Sequence, residues 1–274
     1  MNDQGQRCAS FRQLHESGCF VIPNPFDRGT AISLQRLGFH AIATSSAGFA
    51  FTRGLPDRAD VLDADSVLAH VADIVSAVDI PVNADFQAGY ADTSDGVYQN
   101  VIRCVETGVA GLSIEDATGN DDQPLFNLDD AVDRVRAARS AIDACDHDVL
   151  LTARAECFLV HHDDALRESV RRLQAYAEAG ADVLFAPGVR ERDDIRAIVE
   201  AVHPKPINVL MSGPSDVTLS DLRAMGVRRV SVGSALARAA WGGFLNAARA
   251  VAQDESFGVL ASAAPFDELN AMFE

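Results

Sequence analysis

Three apolar runs in this sequence each end in a residue that buried surroundings disfavour. Pro81-Val82-Asn83-Ala84 leads into Asp85, Leu112-Ser113-Ile114 into Glu115 and Asp116, and Val149-Leu150-Leu151-Thr152-Ala153 into Arg154. A carboxylate at the end of a buried run is costly unless it is paired or bound to a metal. Two or three such carboxylates with water around them suit a hard cation, and Mg²⁺ takes few protein oxygens and keeps its waters. An ion of this kind can grip a 2-oxo acid by two oxygens and stabilise the negative charge that develops during bond cleavage. Arg154 brings a planar fork suited to a carboxylate or phosphonate. The competing expectation is that Asp85, Glu115 and Arg154 form an ion-pair network internal to the fold. Thr44-Ser45-Ser46-Ala47-Gly48 closes another apolar run, so the Ser46 hydroxyl and the amide after it could bind a second carboxylate end. Asn208 lies within a further run, Pro206 to Leu210.

These residues need elements that bring them together. Four segments share one pattern: an amphipathic stretch, a glycine, then an apolar run. They begin at Leu37-Gly38, Thr107-Gly108, Ala179-Gly180 and Met225-Gly226. A glycine after a helix supplies the left-handed cap, and the run after it reads as a buried parallel strand. Runs at Phe20–Ile22, Ile80–Ala84, Val149–Ala153 and Pro206–Leu210 complete a set of eight. Helical patterns over Ala64–Ala77, Asp130–Ala144, Asp163–Ala179 and Arg192–Val202 separate them. Strands alternating with helices imply a parallel sheet. Eight units in about 250 residues is the size of an α/β protein of the (β/α)8 TIM type, whose active site sits at the C-terminal ends of the strands. A doubly wound open sheet is the alternative, weakened by the lack of a G-x-G-x-x-G after the first strand. The chain reads as one domain, 1–274, with 254–274 as a C-terminal extension that carries Leu269, Met272 and Phe273. Trp241 and the phenylalanines read as core.

The 274 residues are 48% hydrophobic, which excludes a disordered chain. The formal charge of −17, from 23 Lys+Arg against 40 Asp+Glu, argues against nucleic acid and anionic membrane as partners. Five cysteines without a C-x-x-C spacing argue against a thiolate zinc site and for reduced thiols in a cytoplasmic protein. Met1 to Ser10 is polar and reads as no signal peptide, and no run approaches the ~20 residues needed to span a bilayer. His161-His162-Asp163-Asp164 reads as a helix start with an acidic cap, and the Met211–Ser215 and Val232–Ser234 segments as turns.

The same residues carry a resemblance. Pro23-Asn24-Pro25-Phe26-Asp27, Ala43-Thr44-Ser45-Ser46-Ala47-Gly48, Pro56-Asp57, Pro81-Val82-Asn83-Ala84-Asp85, Gly89-Tyr90, Ile114-Glu115-Asp116, Ala153-Arg154 and Tyr176 to Asp182 stand in one order over nearly the whole chain. Together they resemble the isocitrate lyase / phosphoenolpyruvate mutase superfamily, in particular its short, mutase-like bacterial members. The resemblance implies a barrel with Mg²⁺ (or Mn²⁺) at its mouth. It also implies a homo-oligomer, dimer or tetramer, whose last helix is exchanged between neighbours, and chemistry on a C–C or P–C bond next to a 2-oxo carboxylate. By the resemblance Asp85 is a direct metal ligand, while Asp57 and Glu115 hold the metal through water. Ser45, Ser46 and Ala47 belong to the segment that binds the substrate carboxylate, and Arg154 is the substrate arginine.

The chain departs from the pattern in three places. Gln87 stands where many relatives carry a further acid. The segment Ala117 to Pro124 lacks the cysteine of isocitrate-type lyases and the lysine of mutases, although Asn120 could stand in for a loop asparagine. Ala186-Pro187-Gly188 occupies the place of a histidine after the sixth strand. The expectation is therefore a Mg²⁺-dependent lyase acting on a small 2-oxo or 2-hydroxy di-acid such as oxaloacetate, by decarboxylation or retro-aldol cleavage. The alternatives are P–C chemistry on a phosphonopyruvate-like substrate, and a silent barrel that binds a 2-oxo acid.

Overall fold

The computed structural model describes residues 4–58 and 60–274. The first three residues of the polar N-terminus lie outside them. The chain opens with α1 (Gln4–Glu16), β1 (Phe20–Ile22), α2 (Arg28–Arg36), β2 (Ile42–Ala43), α3 (Ser46–Thr52) and α4 (Ala64–Ala77). β3 (Val82–Asp85), α5 (Ser94–Glu106), β4 (Gly111–Glu115), α6 (Leu128–Asp143), β5 (Leu150–Arg154) and α7 (Ala165–Glu178) follow. It ends with β6 (Val183–Phe185), α8 (Arg192–Val202), β7 (Ile207–Leu210), α9 (Leu219–Ala224), β8 (Arg229–Ser231), α10 (Ala235–Gln253) and α11 (Phe266–Phe273). Local chemistry starts several helices. Asp27 forms a capping box with Thr30 ahead of α2, Asp63 caps α4 and Thr93 caps α5. Between helix and strand the expected glycines turn the chain, as at Gly108 (φ +91°) and Gly180 (φ +104°), where a side chain would oppose the conformation.

All strand pairs are parallel, in the order β1-β8-β7-β6-β5-β4-β3-β2. The remaining seam, between β1 and β2, is bridged by the Ala43 N–H donating to Pro23 O at 3.0 Å, which nearly closes the barrel. The Asn24 side chain stitches the same seam. Its amide N–H donates to Thr44 O, and its Oδ1 accepts from the N–H groups of Val232 and Gly233. The eight strands and the TIM-type architecture are those expected. A buried core rich in Val, Leu, Ile and Ala sits between strands and helices, for example Val71 and Ile74 of α4 and Ala138 and Ile142 of α6.

Two features were not expected. α1 closes the floor of the barrel: Phe11 is wholly buried, and His15 sets its ring edge-on against Phe20, centroids 5.0 Å apart. Gly111 has no side chain because of this plug; a Cβ there would fall 2.7 Å from the Phe11 ring and 2.8 Å from Asn83 Oδ1. The second concerns the far end of the chain. Trp241 is 39% exposed, Phe244 60% and Phe266 81%, and Phe257 and Phe273 are also exposed, so these rings are not core. Within one chain the extension folds back on α2, where Arg36 donates to Ala271 O and Phe273 lies beside Gly29. Exchange of the last helix between subunits is not shown. Among the described residues no helix is long and apolar enough to cross a membrane.

Candidate active site

Side chains alternate along a strand, and this decides which strand-end residues meet. In the β4–β5 register Glu115 lies opposite Arg154, and both turn into the barrel mouth. Asp116, one residue on, turns away from the mouth. Its Oδ1 accepts from the Glu156 N–H at 2.8 Å, and its Oδ2 from Arg172 Nη1 at 3.0 Å and from the Tyr176 hydroxyl. The acidic pair seen in the sequence is thus divided between the site and a buried support on α7.

Arg154 stands among three carboxylates. Nη1 reaches Asp85 Oδ1 at 2.8 Å and Glu115 Oε2 at 3.1 Å, and Nε donates to Glu156 Oε1 at 2.8 Å. All four side chains are largely buried; that of Glu156 is 5% exposed. The other Asp85 oxygen accepts from both the amide and the hydroxyl of Ser46, each at 2.9 Å. The Asp85 amide donates to Thr44 Oγ1. Ser45 spends its hydroxyl on the start of α3, accepting from the Gly48 N–H at 3.1 Å. Ala47 lies in the first turn of that helix and lines the same cavity.

The charges here do not balance. Burial raises the pKa of Glu115 well above the usual range; Glu156, Asp85 and Asp116 push the same way, and Arg154 opposes them. Burial likewise raises Glu156, and it raises Asp57 with added repulsion from Asp85. Burial alone would weaken the Arg154 cation, but the pull of Glu115, Glu156 and Asp85 more than offsets it, so its pKa rises. One guanidinium therefore faces more carboxyl groups than it can pair, and burial resists their ionising together.

Asp57, Gln87, Glu115 and Asn120 line an outer cavity of about 590 Å³. An inner cavity of about 230 Å³ runs from Ser46, Asp57 and Asp85 down to Asn208. Gln87 has a left-handed backbone (φ +42°), and its carbonyl accepts from the Glu115 N–H. Asn120 is exposed, and its side chain accepts from the Asp122 N–H within the loop. Asn208 is buried, donating to Ser231 Oγ and accepting from Arg229 Nε. Among the described residues no three His, Cys, Asp or Glu side chains sit together as a ready metal cage. The donors nevertheless fit a hard divalent cation in kind, being carboxylate and amide oxygens.

A family model for phosphoenolpyruvate phosphomutase matches residues 11–252. The chain belongs to the isocitrate lyase / phosphoenolpyruvate mutase superfamily. It is 32% identical over 224 residues to 2-methylisocitrate lyase of Escherichia coli (strain K12), covering 77% of this chain and 73% of that protein. It is 30% identical over 230 residues to an oxaloacetate decarboxylase of Paraburkholderia xenovorans (strain LB400), covering 81% and 73%. A Burkholderia cenocepacia J2315 crystal structure, described only as a lyase/mutase, superposes with a TM-score of 0.94 at 44% identity, covering 98% and 96%. A phosphonopyruvate hydrolase complex with oxalate and Mg²⁺ superposes with a TM-score of 0.86 at 26% identity, covering 97% and 94%. Lyases and mutases are among these superfamily members, and the chain is an enzyme of that superfamily.

Two neighbours of the site were given no role in the sequence reading. Glu156 follows Arg154 by two residues, a spacing that returns the chain to the same face and could have signalled it. Arg229 lies in a run read as a strand but was given no part in the site, and it is 3% exposed inside the barrel.

Proposed function

We propose that this superfamily member is a divalent-metal-dependent lyase that breaks a C–C bond in a small 2-oxo or 2-hydroxy di-acid, with oxaloacetate decarboxylation as the leading reaction. The observation that carries this is the surplus of carboxylates around Arg154 at the C-terminal mouth, next to a loop without cysteine or lysine. Asp85, Asp57, Glu115 and Gln87 would hold Mg²⁺ or Mn²⁺, which supplies Lewis-acid polarisation of the 2-oxo group. With Nε and Nη1 of Arg154 held by Glu156, Asp85 and Glu115, Nη2 is left to donate to the substrate carboxylate, a charge-assisted contact that also sets its orientation. Glu156 fixes the guanidinium plane from behind. The Ser46 amide and hydroxyl hold Asp85 in place, the Ala47 amide beside them is left to meet a substrate carboxylate, and Asn208 orients the interior end. Asn120 stands in the loop over the outer cavity, where it can order water. Loss of carbon dioxide leaves one carbon to be protonated, and water at the open mouth can do this, so no dedicated acid is required.

The likeness to phosphonopyruvate hydrolase supports P–C bond cleavage as the second reading, against which stand the missing loop lysine and Ala186 in place of a histidine. The exposed rings of α10 and α11 support a homo-oligomer, a dimer or tetramer. Free thiols at Cys19, Cys104, Cys145 and Cys157 support a cytoplasmic setting. The test is turnover with and without Mg²⁺. Metal-dependent carbon dioxide release from oxaloacetate supports the first reading, phosphate release from phosphonopyruvate the second, and no turnover of either supports a silent binding barrel.

A further inference from the structure

Below the acidic mouth, the inner cavity ends on a second cation. Arg229 of β8 is 3% exposed, and among the described residues no carboxylate lies within ion-pair distance of it. Its neighbours are neutral. Nε donates to Asn208 Oδ1 at 2.9 Å, Nη2 donates to Thr152 Oγ1 at 3.0 Å, and Nη1 lies 3.5 Å from His15 Nε2. A guanidinium carries five N–H donors, and these contacts engage three. Burial lowers its pKa to about 9, which still leaves it a cation at neutral pH. A buried charge without a counter-charge is strongly unfavourable unless something pairs with it.

Arg229 is not sealed off. It lines the same cavity of about 230 Å³ as Ser46, Asp85 and Arg154. Asn83 lines it too, and its Oδ1 is buried with no hydrogen-bond partner. Its Nδ2 donates to Ala84 O at 3.1 Å, which fixes the amide's orientation and leaves Oδ1 as an unmet acceptor. One cavity thus connects a cation crowded by acids to a cation that has none, with a second unmet polar group beside it.

We propose that Arg229 is an inner anion-binding residue that seats the distal carboxylate of a di-acid whose reacting end lies at Arg154. The proposal rests on the 2-oxo and 2-hydroxy acid reading above and deepens it, because it makes the second carboxylate a requirement for tight binding. A mono-acid would leave the Arg229 charge unmet.

Calorimetry with Mg²⁺ present, using malate and 2-hydroxybutanoate, separates the possibilities, since the two ligands have the same carbon count and differ in the distal carboxylate. The wild-type protein should bind malate at least tenfold more tightly. Arg229→Gln should reduce malate affinity at least tenfold and change 2-hydroxybutanoate affinity less than threefold. Equal binding of the two acids by the wild type, or an equal loss of both in a folded variant, overturns the proposal. If Arg229→Gln does not fold, the wild-type comparison decides alone. A wild type that binds neither acid brings down the parent reading as well, an outcome distinct from equal binding, which sinks only the role of Arg229.

Discussion

Mild acid should destabilise this protein through one ring in the barrel floor. His15 donates from Nδ1 to Phe11 O at 2.8 Å and turns Nε2 toward Arg229. Burial, then the Arg229 charge, then that of Arg12, hold its pKa down to about 3, against 6.5 for a free histidine. Between these values the unfolded chain binds a proton that the native state refuses. Stability is therefore intact above about pH 6.5, falls as the pH drops through the interval, and stops falling near 3, where the native ring also protonates. Each pH unit is worth about 1.4 kcal/mol, so moving from pH 6.5 to 5 costs about 2 kcal/mol from this residue. Urea unfolding of the wild type and His15→Gln at pH 7 and pH 5 isolates the effect, because the carboxylates and His70 contribute alike to both proteins. The wild type should lose about 2 kcal/mol more than the variant. Parallel losses, within about 0.5 kcal/mol, would show that His15 is not held neutral by its surroundings.

Asp85→Asn should weaken Mg²⁺ or Mn²⁺ binding at least tenfold by calorimetry, and unchanged affinity would return these acids to a purely structural ion-pair network. Arg154→Lys and Arg154→Ala should each lose at least tenfold in affinity for oxaloacetate or 2-oxoglutarate, since lysine lacks the fork. Because three carboxylates surround that guanidinium, Arg154→Ala should also lose about 3–5 kcal/mol of stability; a variant that unfolds more easily yet binds normally would make Arg154 only a structural partner. Isocitrate and 2-methylisocitrate should give glyoxylate at well below about 1 s⁻¹, and faster turnover would mean that another residue replaces the missing loop cysteine. Gly111→Ala should cost about 1–3 kcal/mol in thermal or urea unfolding, and no change would show that Phe11 can yield.

Much of this architecture was legible because its signals are local. α4 and α8 span Ala64–Ala77 and Arg192–Val202 as expected, since their apolar residues recur at helical spacing and face one way. Asp85, Glu115 and Arg154 stood out because each ends a buried run. What stayed hidden depends on neighbours distant in sequence. α1 has little apolar periodicity, and its place follows from how Phe11 and His15 fill the floor. Asp116 could be separated from Glu115 only by knowing that Arg172 and Tyr176 wait on α7. The place of Arg229 inside follows from contacts with Thr152 and Asn208, which come from other strands. The rings of α10 were taken for core because hydrophobicity alone does not say which surface an apolar residue meets.

The β1–β2 seam carries a different consequence. β4 and β5 share five paired residues, whereas β1 and β2 are joined by a single backbone hydrogen bond and by the side chain of Asn24. Local opening follows the least bonded boundary, so this stave line, which runs up to Ser45 and Ser46, is where the barrel breathes. Amide protons such as that of Ala43 should exchange with solvent ahead of those in the β4–β5 ladder. An occupant spanning the mouth would act as a clasp across the gap, beside the asparagine that lines the same cavity and holds the seam.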